Sequence, residues 1–400
     1  MNDRTPFESD AHDQLRTHIA TLASRDIAPQ VQRMEDRKKV DRKLLDLIVR
    51  QGWGGITIPA AYGGKGAGQL AKLILTEEIS YVSGALGAAL QASLLGTAKL
   101  LHYGCEEQQR RWLPQIADGT VLTSIAVTEP GSGSHVLGMA ATARRDGSDY
   151  VLTGTKTHVG NAHVAHVHGV VARTGPGARG LSAFLVPAGS PGLHLAPHQP
   201  ALGLHGFSCG ELHFDEVRIP VANRVGEEGQ GLDIAYSSSV LYGRPNLTAV
   251  ALGLHRRILD ESVAYARQTH RYGRPLADVA TVRQRIGEIA SRLSTARLAA
   301  YHAASLLDDP NRQQSCDAEL IQAKYLNCEA VRESAQQAMM IHGAAGLQGD
   351  NIIQRLLRDA WHTWAPAGTG DIQIHRLAEH ALGTSQSAWS MTHKAVLAGR

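Results

Sequence analysis

Three histidines, His163, His166 and His168, crowd into one short stretch, and imidazole is the commonest metal-ligating side chain. In an extended segment His166 and His168 share a face, an arrangement compatible with a metal pair. Spacing supplies no third or fourth ligand. The sequence therefore assigns no metal, and the histidines read as solvated groups at a strand edge. Cys105, Cys209, Cys316 and Cys328 lie far apart with no Cys-x-x-Cys spacing. They read as incidental thiols of a reduced, cytoplasmic chain. Lysine and arginine number 40 against 37 acidic residues, a net charge of +3, and the basic residues are scattered. Nucleic acid is not an expected partner, although a few arginines could meet phosphates on a small ligand.

The elements that must position any site follow from length and patterning. Four hundred residues, 43% apolar and 19% charged, suit one large globular subunit with two or three sub-structures. Met1 to Gln14 is polar, and no stretch approaches the roughly 18 apolar residues of a membrane span, so no membrane partner is expected. The chain changes character twice, giving expected domains at 1–119, 120–227 and 228–400. The first reads as helices, including an Ala- and Leu-rich run over Leu70–Leu101 and a charged-face helix at Glu106–Ala117, with a loop at Pro59 and Tyr62–Gly66. The second is β-like: runs at Tyr150–Thr153, Gly169–Ala172, Ala183–Val186 and Glu211–Phe214 are separated by Gly, Pro or Asp. The third returns to long helices. Val282, Ile286, Ile289, Leu293, Ala296 and Ala300 form one apolar stripe. Another helix covers roughly Ala318–Ile341, and shorter ones follow Asp350 and Asp371. Long helices with short connections predict an antiparallel bundle.

Specific motifs fall on these elements in order. They are Gly55-Ile56 through Pro59, Tyr62-Gly63-Gly64, Glu77-Glu78, and Gly104–Gln108 followed by Arg111-Trp112-Leu113-Pro114. Next come Val127–Ser134, Gly154-Thr155-Lys156, Glu211–Pro220, Tyr272–Leu276, Leu357–Ala360 and Gly368-Thr369 through Gln373. Taken together the chain resembles the acyl-CoA dehydrogenase family over almost its whole length. The resemblance implies an α+β fold: an N-terminal helical domain, a middle β-domain and a C-terminal four-helix bundle. It also implies FAD, an acyl-CoA or acyl-carrier-protein substrate, and a homodimer or homotetramer, with a paralogous subunit as a further possibility.

The family reaction removes a proton α to a thioester and passes a hydride to flavin, which needs a carboxylate base. The resemblance places that base at Ala367, or in some members at Gly243, and neither residue can accept a proton. Asp371, one turn after Ala367, is the candidate substitute, with a helix N-terminus or flavin contact as its other role. Tyr242 adjoins Gly243, but a phenol with an ordinary pKa of roughly 10 is a poor base. By resemblance, Ser134, Tyr242, Arg244 and Gly368 contact substrate. Val127, Thr128, Gly133, Ser134, His158, Gly160, Arg271, Tyr272, Gly343, Thr369 and Asp371 contact the cofactor. Departures accumulate here: Gly160 lacks the family threonine hydroxyl, Thr269 replaces the pyrophosphate arginine, and Ala280 and Met340 replace glutamines. His135 replaces an aspartate and Ala344 a glycine. Arg271, close to Thr269, is expected on a different helical face.

Three functions remain open from sequence. One is a flavin-dependent desaturase of acyl thioesters with a non-standard base. Another is a non-redox enzyme performing elimination, addition or cyclisation in the same pocket. The last is a non-catalytic subunit beside an active homologue.

Overall fold

A computed structural model describes residues 4–385 and 388–399. Its N-terminal part is helical: α1 (Asp10–Leu22), α2 (Ala28–Arg37), α3 (Arg42–Val49), α4 (Gly68–Val82), α5 (Gly84–Tyr103) and α6 (Glu106–Ala117). The run over Leu70–Leu101 is two helices. Ser83 is extended at φ −149°, ends α4, and caps α5 by accepting the Leu86 N–H at 3.3 Å. Contrary to the sequence expectation, α5 is long and apolar enough to cross a membrane by length and composition. It is 94% buried inside the protein, as befits a core helix apolar on every side.

The middle part forms one sheet from β1 (Thr123–Ala126), β2 (Thr142–Asp146), β3 (Asp149–Gly160), β4 (Val167–Arg173), β5 (Leu181–Pro187), β6 (Leu193–Leu195), β7 (Cys209–Pro220) and β8 (Arg224–Val225). Strands run in the order β6-β7-β3-β2-β4-β5-β8, with β1 parallel to β4. Leu152, Val170, Phe184, Leu212 and Phe214 fill its core.

The C-terminal part begins with α7 (Gly231–Ser238) and a π-helical turn, Ser239–Gly243, that leads into α8 (Arg244–Gln268). A hairpin of β9 (His270–Arg271) and β10 (Arg274–Pro275) precedes α9 (Ala280–Asp308), α10 (Asp317–His342), α11 (Ile352–Trp361) and α12 (Gly370–Ala381). Short helices α13 (Trp389–Thr392) and α14 (Lys394–Leu397) close the described chain. The apolar stripe lies on α9, where Ile289, Ala296 and Ala300 are buried.

Two expectations need correction. Because α8 stops at Gln268, Arg271 lies on the hairpin and on no helical face. The last long helix starts at Gly370 under a Thr369 cap, so Asp371 is inside it rather than ahead of it.

A buried ion network ties the N-terminal helices to the bundle. Glu77 and Glu78 of α4 meet Arg256 of α8 at 2.8 and 2.6 Å, and Arg16 of α1 and Tyr301 of α9 join them. Such a network holds only while its charges stay matched.

Candidate active site

The three histidines do not converge. His163 bonds Ser208 Oγ (2.9 Å) and the Ala196 carbonyl (2.8 Å), while His166 accepts the Leu122 N–H (3.0 Å) and faces Arg42. His168 pairs with Ser124 Oγ at 2.7 Å and is fully buried, so the reading of a solvated histidine fails for it. Burial pushes its imidazole down to about 4. Among the described residues no three His, Cys, Asp or Glu side chains gather as a metal set.

The two empty base positions do converge. A Cβ built on Gly243 would lie 3.0 Å from the Ala367 Cβ and 3.7 Å from Leu95 on α5. Ala367 has φ +56° and Gly368 φ +93°, so this turn runs through left-handed backbone that a side chain tolerates poorly. Its carbonyls are nonetheless tightly held. Lys324, buried on α10, donates to the Trp364 carbonyl (2.6 Å) and the Gly368 carbonyl (2.7 Å). Gln373 Nε2 donates to the carbonyls of Ala367 (3.0 Å) and Gly368 (2.9 Å), and Arg244 Nε approaches the Ala367 carbonyl at 3.4 Å. Burial lowers both the Lys324 ammonium and the Arg244 guanidinium, the latter to about 10. The turn at the position expected to carry a base is thus firmly held, and Ala367 brings no carboxylate to it.

Helix α5 joins this slot to the sheet. Ala92 and Leu95 are three apart and share a face. Leu95 abuts Gly243, while a Cβ on Gly160, at the end of β3, would meet Ala92 and the Phe207 ring at 3.1 Å each. Gly160 and the Ala367–Gly243 slot therefore border one helix face.

Beside Gly160 stands the glycine- and serine-rich stretch. Glu129 fixes its base by accepting the Ala140 and Ala141 N–H groups (2.6 and 3.0 Å) and Lys156 Nζ (2.7 Å). Lys156 also donates to the Val127 carbonyl, and Thr157 N–H to the Thr128 carbonyl. Beyond that anchor the loop is open: no atom lies within 4 Å of a Cβ built on Gly131 or Gly133. Ser134 and His158 are exposed, and His158 has φ +54°.

Other expected site residues lie apart. Tyr242 is buried behind the slot, its ring 5.5 Å from His102 and 4.4 Å below Lys72 Nζ. Asp371 is exposed and lines a surface hollow with Tyr325, Glu329, Trp361 and Trp364. Arg271 and Tyr272 sit on the hairpin at the far end of α8, with Tyr272 93% exposed. A helix of 25 residues spans about 37 Å, so they are remote from Arg244. Gly343 belongs to that far end too, since Tyr265 of α8 stacks on His342 at 4.1 Å.

Comparison with known sequences completes the picture. Residues 9–120, 124–217 and 229–382 match the sequence models of the acyl-CoA dehydrogenase N-terminal, middle and C-terminal domains. The chain belongs to the acyl-CoA dehydrogenase family. An acyl-CoA dehydrogenase of Bacillus subtilis is 34% identical over 372 residues, covering 92% of this chain and 97% of that protein. The solved glutaryl-coenzyme A dehydrogenase–glutaryl-CoA complex superposes with a TM-score of 0.91 at 30% identity, covering 97% of this chain and 98% of that one. The FAD complex of PigA gives a TM-score of 0.89 at 26% identity, covering 96% and 100%.

Within the acyl-CoA dehydrogenase frame, sequence reasoning located Ala367 and Gly243 but missed what holds and surrounds them. Lys324 carries no local signal, because its partners lie 40 and 44 residues away. Gln373 belongs to the Gly368–Gln373 motif, yet its grip on the turn needs the fold.

Proposed function

We propose that the chain is an FAD-dependent oxidoreductase of acyl thioesters, borne by coenzyme A or an acyl carrier protein, that works without a carboxylate at either family base position. The observation that carries this reading is the shared face of α5, which borders both Gly160 and the Ala367–Gly243 slot. A thioester lying along that face would have the cofactor side at one flank and the proton-accepting side at the other.

The residues present fit FAD. Open space beside Gly131 and Gly133 lets a backbone approach a ring or phosphate closely. Thr128 is half-buried and Ser134 is exposed nearby in the same stretch. Val127, Thr128, Gly133, Ser134, His158 and Gly160 would hold the ring and phosphates, and Thr369 and Asp371 the ribityl chain. FAD, when bound, supplies the acceptor for a hydride from the substrate β carbon. Arg271, Tyr272 and Gly343, at the far end of α8, would reach a cofactor only on a second copy. That separation supports a homodimer or homotetramer, or pairing with a paralogous subunit. All four cysteines are free thiols, which suits a cytoplasmic protein.

Arg244, Gly368 and Ser134 would meet the thioester end of the substrate, and Tyr242 would act by packing behind the slot. The α proton needs an acceptor, and Asp371 is the carboxylate closest in sequence to the empty slot, a role that excludes its ribityl contact and requires its side chain to turn in from the surface hollow. Protein purified without added cofactor should absorb as a flavoprotein or take up titrated FAD, and an acyl thioester should bleach it anaerobically. Asp371→Asn should abolish that bleaching; unchanged turnover excludes Asp371 as the base.

Gly160 favours a second reading. It offers no hydroxyl, and Ala92 and Phe207 already fill the space where a side chain would begin. A colourless protein that refuses FAD yet binds acyl thioesters would exclude the redox reading and support a non-redox elimination, addition or cyclisation instead.

A further inference from the structure

One helical turn beyond the slot, the wall between α5 and α8 changes character. Asn246 follows Gly243 by three residues on α8, and Gln91 precedes Leu95 by four on α5, so each lies on the slot-facing side of its helix. Both are buried, at 1% and 7% exposure. Asn246 Nδ2 donates to the Gln91 backbone carbonyl at 3.2 Å, which fixes the amide's orientation. The atom left over is therefore the oxygen: Asn246 Oδ1 has no hydrogen-bond partner among the described residues, and neither does Gln91 Oε1.

Two buried amide ends without partners are costly in an apolar wall, since each loses its water without compensation. The free end of Asn246 is its oxygen, and the Gln91 amide, held by no side-chain hydrogen bond among the described residues, can turn its oxygen to the same donor. Both ends are uncostly if the ligand brings the donor. We propose that Asn246 and Gln91 select an acyl group carrying a hydroxyl or amine near its far end over a plain hydrocarbon chain. This rests on the acyl-thioester reading above. The distance sets where the donor belongs. One turn is about 5.4 Å, and with carbon–carbon bonds of about 1.5 Å the donor falls roughly four atoms beyond the thioester carbon.

The test uses the full chain with FAD added and two phosphopantetheine amides, the 4-hydroxybutyryl and pentanoyl analogues. Nitrogen replaces the thioester sulfur, so neither ligand reacts or cyclises. Calorimetry should show the hydroxylated ligand binding about tenfold more tightly or better, the worth of one buried hydrogen bond. Asn246→Leu should bring the ratio of the two dissociation constants close to one, and so should Gln91→Leu, which keeps the test decisive if one variant fails to fold. Equal binding by the parent protein, or a preference unchanged in both variants, overturns the selectivity. Failure of both ligands to bind the parent overturns the acyl-thioester reading itself, a separate outcome.

Discussion

A glutamate placed at position 367 would inherit a backbone already fastened by Lys324, Gln373 and Arg244, with its side chain starting toward Gly243. General-base catalysis contributes about 100- to 10,000-fold. Ala367→Glu should therefore speed anaerobic flavin bleaching by an acyl thioester about 100-fold or more, read by stopped flow; no gain would show that proton removal does not limit the reaction. The fastening itself can be measured. Lys324→Met leaves the Trp364 carbonyl without its donor and the Gly368 carbonyl with Gln373 alone, and should cost about 1–3 kcal/mol in urea unfolding. Stability equal to the parent's would mean that the buried charge costs as much as its two bonds return. At this scale the sequence is readable where a residue sits inside a local motif, as Ala367 and Gly243 each do in their own segments. It is silent on Lys324, Asn246 and Gln91, whose roles exist only once distant elements meet.

Helix α4 is the element on which the N-terminal part and the bundle lock together. Burial would raise the Glu77 carboxyl, but Arg256, Arg297 and Arg16 outweigh it and hold it at about 2. Its folded pKa lies below the unfolded one, so its contribution is complete above about pH 4.5 and is lost as pH falls toward 2. Glu77→Gln should cost about 3–5 kcal/mol at neutral pH, by leaving buried arginines unmatched. The deficit should shrink as both proteins are titrated into acid; a deficit that stays constant in urea unfolding from pH 6 to 3 would contradict the assignment. Long periodic helices such as α9 and α10 are legible from their apolar spacing, as are the longer strands β3, β4, β5 and β7. The short strands β6 and β8, of 3 and 2 residues, carry too little pattern to register. The break at Ser83 is hidden because α4 and α5 are both apolar nearly all round, which erases the periodicity that would mark an end.

Over the whole molecule, buried lysines make stability depend on alkaline pH. Burial pushes the ammonium of Lys72 down to about 7, against a raising pull from Asp308, and burial alone does the same to Lys99. In the unfolded chain both titrate near 10.4, so between about pH 7 and 10 the unfolded state binds more protons. Stability should rise as pH climbs through that window, and Lys72→Met should flatten the rise, measured as the melting temperature at pH 7 and pH 9. A slope identical in parent and variant would show that Lys72 keeps its proton when folded. Helix α5 has a different consequence for the molecule as a whole. Its neighbours are the sheet at Gly96 and Gly160, the bundle at Gly243, and the helices around it, and no side of it is built to face water. A fragment ending at residue 119 would keep the helices packed on one side of α5 but bare its apolar faces toward the sheet and the bundle, the surface on which chains clump. During synthesis the N-terminal part must therefore wait for the sheet and the bundle before α5 is fully covered.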